Sequence, residues 1–92
     1  MCDARTVNKK DLVSIDVVYP HFVDEAYEVM YDPAHRWFYK KGMKNDDIII
    51  FKVGDTEETE ATVCVHSAFV DPSVPSDTPS RFSIEVKAIV FG

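Results

Sequence analysis

The sequence predicts a mainly β chain, and three observations carry that prediction. The final stretch, Arg81 to Phe91, alternates: Phe82, Ile84, Val86, Ala88 and Val90 fall on one face, and Arg81, Ser83, Glu85 and Lys87 on the other. That two-residue period is the signature of a half-covered strand. The run Ile48-Ile49-Ile50-Phe51 is continuously apolar and mostly β-branched, the composition of a strand covered on both faces. Between Asp71 and Ser80, Pro72, Pro75 and Pro79 fix the backbone and deny it a helix. No repeat and no long amphipathic helical period interrupts this pattern.

The remaining elements follow in chain order. "DLVSIDVVYP" holds Leu12, Val13, Ile15, Val17 and Val18 and predicts a strand or extended edge that Pro20 ends. "DEAYEVMY" sets Ala26, Glu28 and Met30 against Tyr27, Val29 and Tyr31, a strand-like alternation too short to exclude a helical turn. "YDPAH" reads as a turn around Pro33, and "RWFYKKG" as an aromatic strand closed by Gly42. After the 48–51 run, Gly54 and Asp55 mark a break, and "TEETE" is an acidic, exposed loop. "ATVCVHSAF" then predicts a strand with Val63 and Val65 on one face and Thr62, Cys64 and His66 on the other.

Composition narrows the function classes. The 92 residues fit one small domain, 46% hydrophobic and 28% charged, and a chain of this length buries a small fraction of its surface. Asp and Glu outnumber Lys and Arg by 16 to 10, for a net charge of −6. Such a chain repels phosphate backbones, so no nucleic-acid partner is expected. Lys40, Lys41 and Lys44 form a short basic cluster read as a solvated turn. No apolar run has the length of a membrane span, and Met1 is followed by polar residues rather than a signal-peptide core. Two cysteines, Cys2 and Cys64, make no disulfide framework, which fits a reduced, cytoplasmic setting.

The chemistry concentrates in "VCVHSAFVDPSVPSDTPSRFSIEV". His66 closes one expected strand, a proline-punctuated loop follows, and Arg81 and Ser83 open the next. Period two sets Arg81 and Ser83 on one face. A guanidinium offers a planar fork to a carboxylate, and a neighbouring hydroxyl can donate to the same group. A carboxylate-bearing small molecule held there would reach a metal carried by His66, as iron oxygenases with a 2-oxo acid co-substrate require. The same residues also fit a hairpin with polar groups facing water. His21 and His35 lie beside turns without a carboxylate at ligand spacing. No His-x-Asp or His-x-Glu pair, phosphate-binding glycine loop or nucleophile elbow occurs. Asp46 and Asp47 are adjacent, so in a strand they diverge.

The blocks "CDAR", "DLVSIDVVYP", "YDPAHRWFYKKGMKNDDIIIFK", "HSAFVDP" and "SRFSIEVKAIVF" together resemble the carboxyl-terminal part of the AsaB/CmcJ-type hydroxylase/desaturase family of fungal secondary metabolism. The resemblance implies a non-haem Fe(II), 2-oxoglutarate-type oxygenase acting on a small-molecule substrate, built on a double-stranded β-helix (a cupin-like jelly-roll). By that resemblance His66 is the distal iron ligand, Arg81 and Ser83 hold the far carboxylate of 2-oxoglutarate, and Trp37, Phe38 and Tyr39 lie on the substrate side. The family's His-x-Asp pair falls upstream of these 92 residues, so one of the three ligands of a facial triad is present. Lys87 stands where relatives often carry Arg. The expectation is therefore residues 1–92 as a single carboxyl-terminal fragment of a jelly-roll lacking its amino-terminal strands. It arises as a truncated member, a mis-called gene start or a decayed paralogue, inactive alone and open to self-association through unpaired strand edges. The competing expectation is a non-catalytic β-domain that binds a partner or a small carboxylate.

Overall fold

Strand pairing begins where the sequence alternates first. In the computed structural model, which describes residues 1–57, 59 and 61–92, strand β1 (Leu12–Val18) pairs antiparallel with β2 (Val23–Val29). The register sets Leu12 opposite Val29, Ile15 opposite Ala26 and Val18 opposite Val23. Pro20 ends β1 as expected, because it lacks the N–H that a continuing ladder needs. Tyr19 donates its N–H to the Phe22 carbonyl at 2.9 Å, and the two rings stack with centroids 4.5 Å apart. The turn is thus closed by a backbone bond and an aromatic pair together. "DEAYEVMY" resolves as strand rather than helix, its ladder prolonged by Met30 N–H donating to the Asp11 carbonyl at 2.7 Å. One pair works against the hairpin: Asp16 faces Glu25 directly, and like charges in opposed positions destabilise a sheet.

Two short 3-10 turns precede the hairpin, Ala4–Thr6 and Lys9–Asp11. Asp3 caps the first by accepting the Arg5 N–H at 3.1 Å. Asn8 and Asp11 form a reciprocal capping box on the second, which satisfies both backbone donors at that end.

A thread of single backbone bonds organises the rest. Met1 and Phe38 exchange bonds of 2.9 and 2.8 Å, and Asp3 N–H donates to the Arg36 carbonyl at 2.8 Å. On the other side Cys2 N–H donates to the Val65 carbonyl at 2.8 Å, and Cys64 N–H to that of Lys52 at 2.9 Å. The expected aromatic strand at 36–42 therefore appears as one antiparallel bridge, Cys2 with Trp37, before the chain turns at Gly42. That glycine has φ +65°, a conformation that a Cβ would strain. Cys2 and Val65 are the buried apolar residues among those described.

The later strands expected from sequence do not form ladders. The 48–51 run, expected to be covered on both faces, leaves Ile50 92% exposed. Residues 61–69 contribute the single bonds above, and 81–91 form no strand, with Ile84 96% exposed. The physical reason is shared: a strand needs an edge to pair with and a face to cover it, and no other described segment supplies either. The sheet present is two-stranded, so the chain is mainly non-helical with a single antiparallel hairpin. Of the expected acidic loop at 56–60, Glu58 and Glu60 lie outside the described residues.

Amide exchange should divide accordingly. Residues 81–91 are expected to exchange at the rate of an unstructured peptide, with slower exchange for the paired amides of β1 and β2. Protection along 81–91 in the monomer would contradict the arrangement described.

Candidate metal-ligand and co-substrate site

His66 is positioned by its two predecessors. The Val65 carbonyl is tied to Cys2 and the Cys64 amide to Lys52, so the backbone entering His66 is held from both sides. The imidazole turns back on this backbone, with Nδ1 3.0 Å from the Cys64 carbonyl oxygen. A carbonyl oxygen only accepts, so Nδ1 carries a proton, and in the neutral ring Nε2 is then the nitrogen with the lone pair. The Phe51 ring lies 4.7 Å away, tilted by 55°. His66 lines an open pocket of about 330 Å³ together with Trp37, Tyr27, Tyr31 and His35.

His35 has a partner that spacing in the sequence does not reveal. Its Nε2 lies 3.1 Å from Asp11 Oδ2, with the two side chains 3% and 8% exposed. The same oxygen accepts the Asn8 amide of the capping box at 3.2 Å, so it takes the imidazole N–H as a second donor. Asn8-x-x-Asp11 is legible in the sequence as a cap. The histidine that completes it stands 24 residues away in the chain and carries no local signal.

The expected co-substrate residues lie apart from His66. Arg81 lines a second pocket, of about 590 Å³, with Phe69, Val74, Pro75 and Pro79. Ser83 lines neither pocket. The structure therefore does not bring imidazole, guanidinium and hydroxyl to one mouth, because the expected strand that would carry Arg81 and Ser83 is unpaired. Of the expected substrate-side aromatics, Trp37 lines the His66 pocket, while Tyr39 packs edge-on against Phe69 with centroids 5.0 Å apart. The two cysteines sit beside this site. Burial pushes the Cys64 thiol up, the nearby Cys2 thiol adds to the rise, and the amino terminus opposes it.

The donor chemistry of His66 fits one position of an iron centre: its non-ligating nitrogen is held by a backbone carbonyl, the usual second contact of a metal-bound histidine. The set as a whole is incomplete. Among the described residues no three His, Cys, Asp or Glu side chains converge as a metal site. Nor, among them, is any helix long and apolar enough to cross a membrane.

The profile of a family described as "Oxidoreductase/YMDC permease-like domain" matches residues 1–91. The hydroxylase/desaturase efuI of Hormonema carpetanum is 31% identical over 99% of this chain and 34% of its own length. The Fe(II)/2-oxoglutarate-dependent dioxygenase nvfI of Aspergillus novofumigatus is 30% identical over 98% of this chain and 33% of its own. For the hydroxylase/desaturase asaB of Aspergillus flavus the values are 35%, 97% and 46%. No solved structure matches the chain. The chain belongs to this fungal oxidoreductase family of hydroxylase/desaturase proteins. It spans about a third of the length of the first two relatives.

The Asp11–His35 contact should be measurable at the hairpin it anchors. Asp11→Ala leaves a buried imidazole unpaired and removes the cap, a cost of about 2–3 kcal/mol. Exchange at the Met30 amide should then accelerate about 30- to 150-fold. His35→Ala should have a smaller effect, since the capping box survives. Equal, negligible effects would show that the contact is idle.

Proposed function

We propose that this chain supplies the distal histidine and the co-substrate anchor of a non-haem Fe(II), 2-oxoglutarate oxygenase centre within a jelly-roll. The observation that carries this reading is the His66 ring, whose Nδ1 is engaged by the Cys64 carbonyl and whose Nε2 remains available in a pocket shared with Trp37. Similarity to nvfI, an Fe(II)/2-oxoglutarate-dependent dioxygenase, supports the choice of metal and co-substrate. When bound, iron and 2-oxoglutarate supply the dioxygen activation needed to hydroxylate or desaturate an unactivated C–H bond. In this reading His66 offers one nitrogen to the metal, and its ring is kept from rotating by the carbonyl bond. Arg81 pairs bidentately with the far carboxylate of the co-substrate, and Ser83 adds one neutral donor. Trp37 and Tyr39 bound the side on which a small secondary-metabolite substrate lies. The His-x-Asp pair comes from residues outside this sequence.

The test restores that pair by fusing these 92 residues behind the amino-terminal portion of nvfI. The chimera should bind iron and consume 2-oxoglutarate, whereas the 92-residue chain should copurify with little iron and release no succinate. In the chimera, His66→Ala should abolish turnover. Arg81→Ala should leave iron bound but raise the KM for 2-oxoglutarate about 30- to 150-fold, the equivalent of about 2–3 kcal/mol. Ser83→Ala should cost about 1 kcal/mol, or roughly fivefold. An active chimera indifferent to Arg81→Ala would remove the arginine from the site.

A second reading is favoured by the absence, among the described residues, of three converging metal ligands. It makes the chain a non-catalytic β-domain that binds a partner or a small carboxylate through Arg81. Calorimetric titration of the metal-free chain with 2-oxoglutarate separates the two readings: Arg81-dependent binding without iron supports the second. In either reading the unpaired edges of β1 and β2 and the exposed 81–91 segment are the surfaces for self-association. Sedimentation at rising concentration should show growth in mass that Ile84→Lys reduces, and a strictly monomeric chain would overturn this.

A further inference from the structure

Cys2 and Cys64 stand 62 positions apart in the sequence and meet at one atom of the structure. The Val65 carbonyl oxygen accepts the Cys2 N–H at 2.8 Å, and the Cys64 thiol points at that same oxygen from 3.8 Å. Cys2 is 5% exposed and Cys64 half-buried, and both thiols are free. The shared acceptor keeps the Cys64 sulfur within about 6.6 Å of the Cys2 amide nitrogen, close enough that small shifts can bring the pair to the Cα separation of about 4.4–6.8 Å that a disulfide spans. The Cys2 thiol lies 3.8 Å from the Asp3 carbonyl oxygen and 3.7 Å from the Thr6 hydroxyl, long sulfur contacts that a crosslink would replace at little cost.

We propose that Cys2 and Cys64 are an oxidisable pair, converted by a low-molecular-weight disulfide such as oxidised glutathione into an intramolecular crosslink. The half-buried Cys64 is the entry point. Its thiolate attacks one sulfur of the reagent and expels one glutathione thiolate, which takes up the proton lost by Cys64. The Cys2 thiolate then attacks the Cys64 sulfur of the mixed disulfide and expels the second glutathione. Two protein thiols are oxidised, one glutathione disulfide is reduced to two glutathiones, and one S–S bond joins the amino-terminal thread to the segment leading into His66. The bond closes a loop of most of the chain and fixes the Cys64 carbonyl that holds the His66 ring.

The experiment treats the reduced 92-residue chain with oxidised glutathione, then counts free thiols and maps peptides by mass without reduction. The monomer should lose both thiols together, become lighter by two hydrogens and yield a Cys2–Cys64 linked peptide. Crosslinking should be at least about tenfold faster in buffer than in denaturing guanidinium, since folding holds the two thiols together. Cys2→Ser and Cys64→Ser should each stop at one glutathione adduct or remain unmodified. Accumulation of a doubly glutathionylated chain, crosslinks only between chains, no reaction at either thiol, or equal rates with and without denaturant would each overturn the proposal.

Discussion

The tertiary organisation hangs on three residues at the amino terminus. Met1 to Asp3 bond to residues 36–38 on one side, and Cys2 bonds to Val65 on the other. That thread ties together Trp37 on one wall of the pocket and the backbone entering His66 on another, while Asp11 holds His35 and Lys52 holds the Cys64 amide. The buried apolar pair, Cys2 and Val65, lies where the thread crosses. With so little apolar area covered, direction comes chiefly from backbone bonds, and those orient segments better than they hold them against chain entropy.

This explains the uneven reach of the sequence. β1 and β2 were legible because a hairpin is local: alternation fixes the faces, Pro20 marks the end, and the partner strand is four residues away. The acidic or aromatic character of later segments was equally plain, yet character does not supply a partner. Ile48 to Ile50 and Phe82 to Val90 have strand composition and remain uncovered, since composition states a demand for burial that other residues must meet. The contacts that reasoning from spacing missed, Asp11 with His35 and Cys2 beside Cys64, are those between distant positions. Of the candidate site, His66 and Trp37 line one pocket, whereas Arg81 and Ser83 lie on a segment for which the described residues supply no partner strand.

Membership of the hydroxylase/desaturase family gives these observations a common frame. The relatives efuI and nvfI are about three times the length of this chain, and a β-structure divides its burden differently from a helix. A helix satisfies most of its own backbone, while a strand leaves all its ladder hydrogen bonds to its neighbours. The features complete within these residues are accordingly the self-contained ones: a capping box, a hairpin and a histidine oriented by the carbonyl two residues before it.

The opposed carboxylates Asp16 and Glu25 give the hairpin an unusual response to its medium. Exposed ion pairs elsewhere, such as Asp3 with Arg5 and Lys40 with Asp47, weaken as dissolved ions screen them over a Debye length of about 8 Å at physiological strength. The hairpin feels the reverse, because screening there relieves repulsion. Rising ionic strength thus relieves a repulsion inside the hairpin while weakening the ion pairs of the surrounding turns, so the same salt acts in opposite directions on neighbouring parts of the chain.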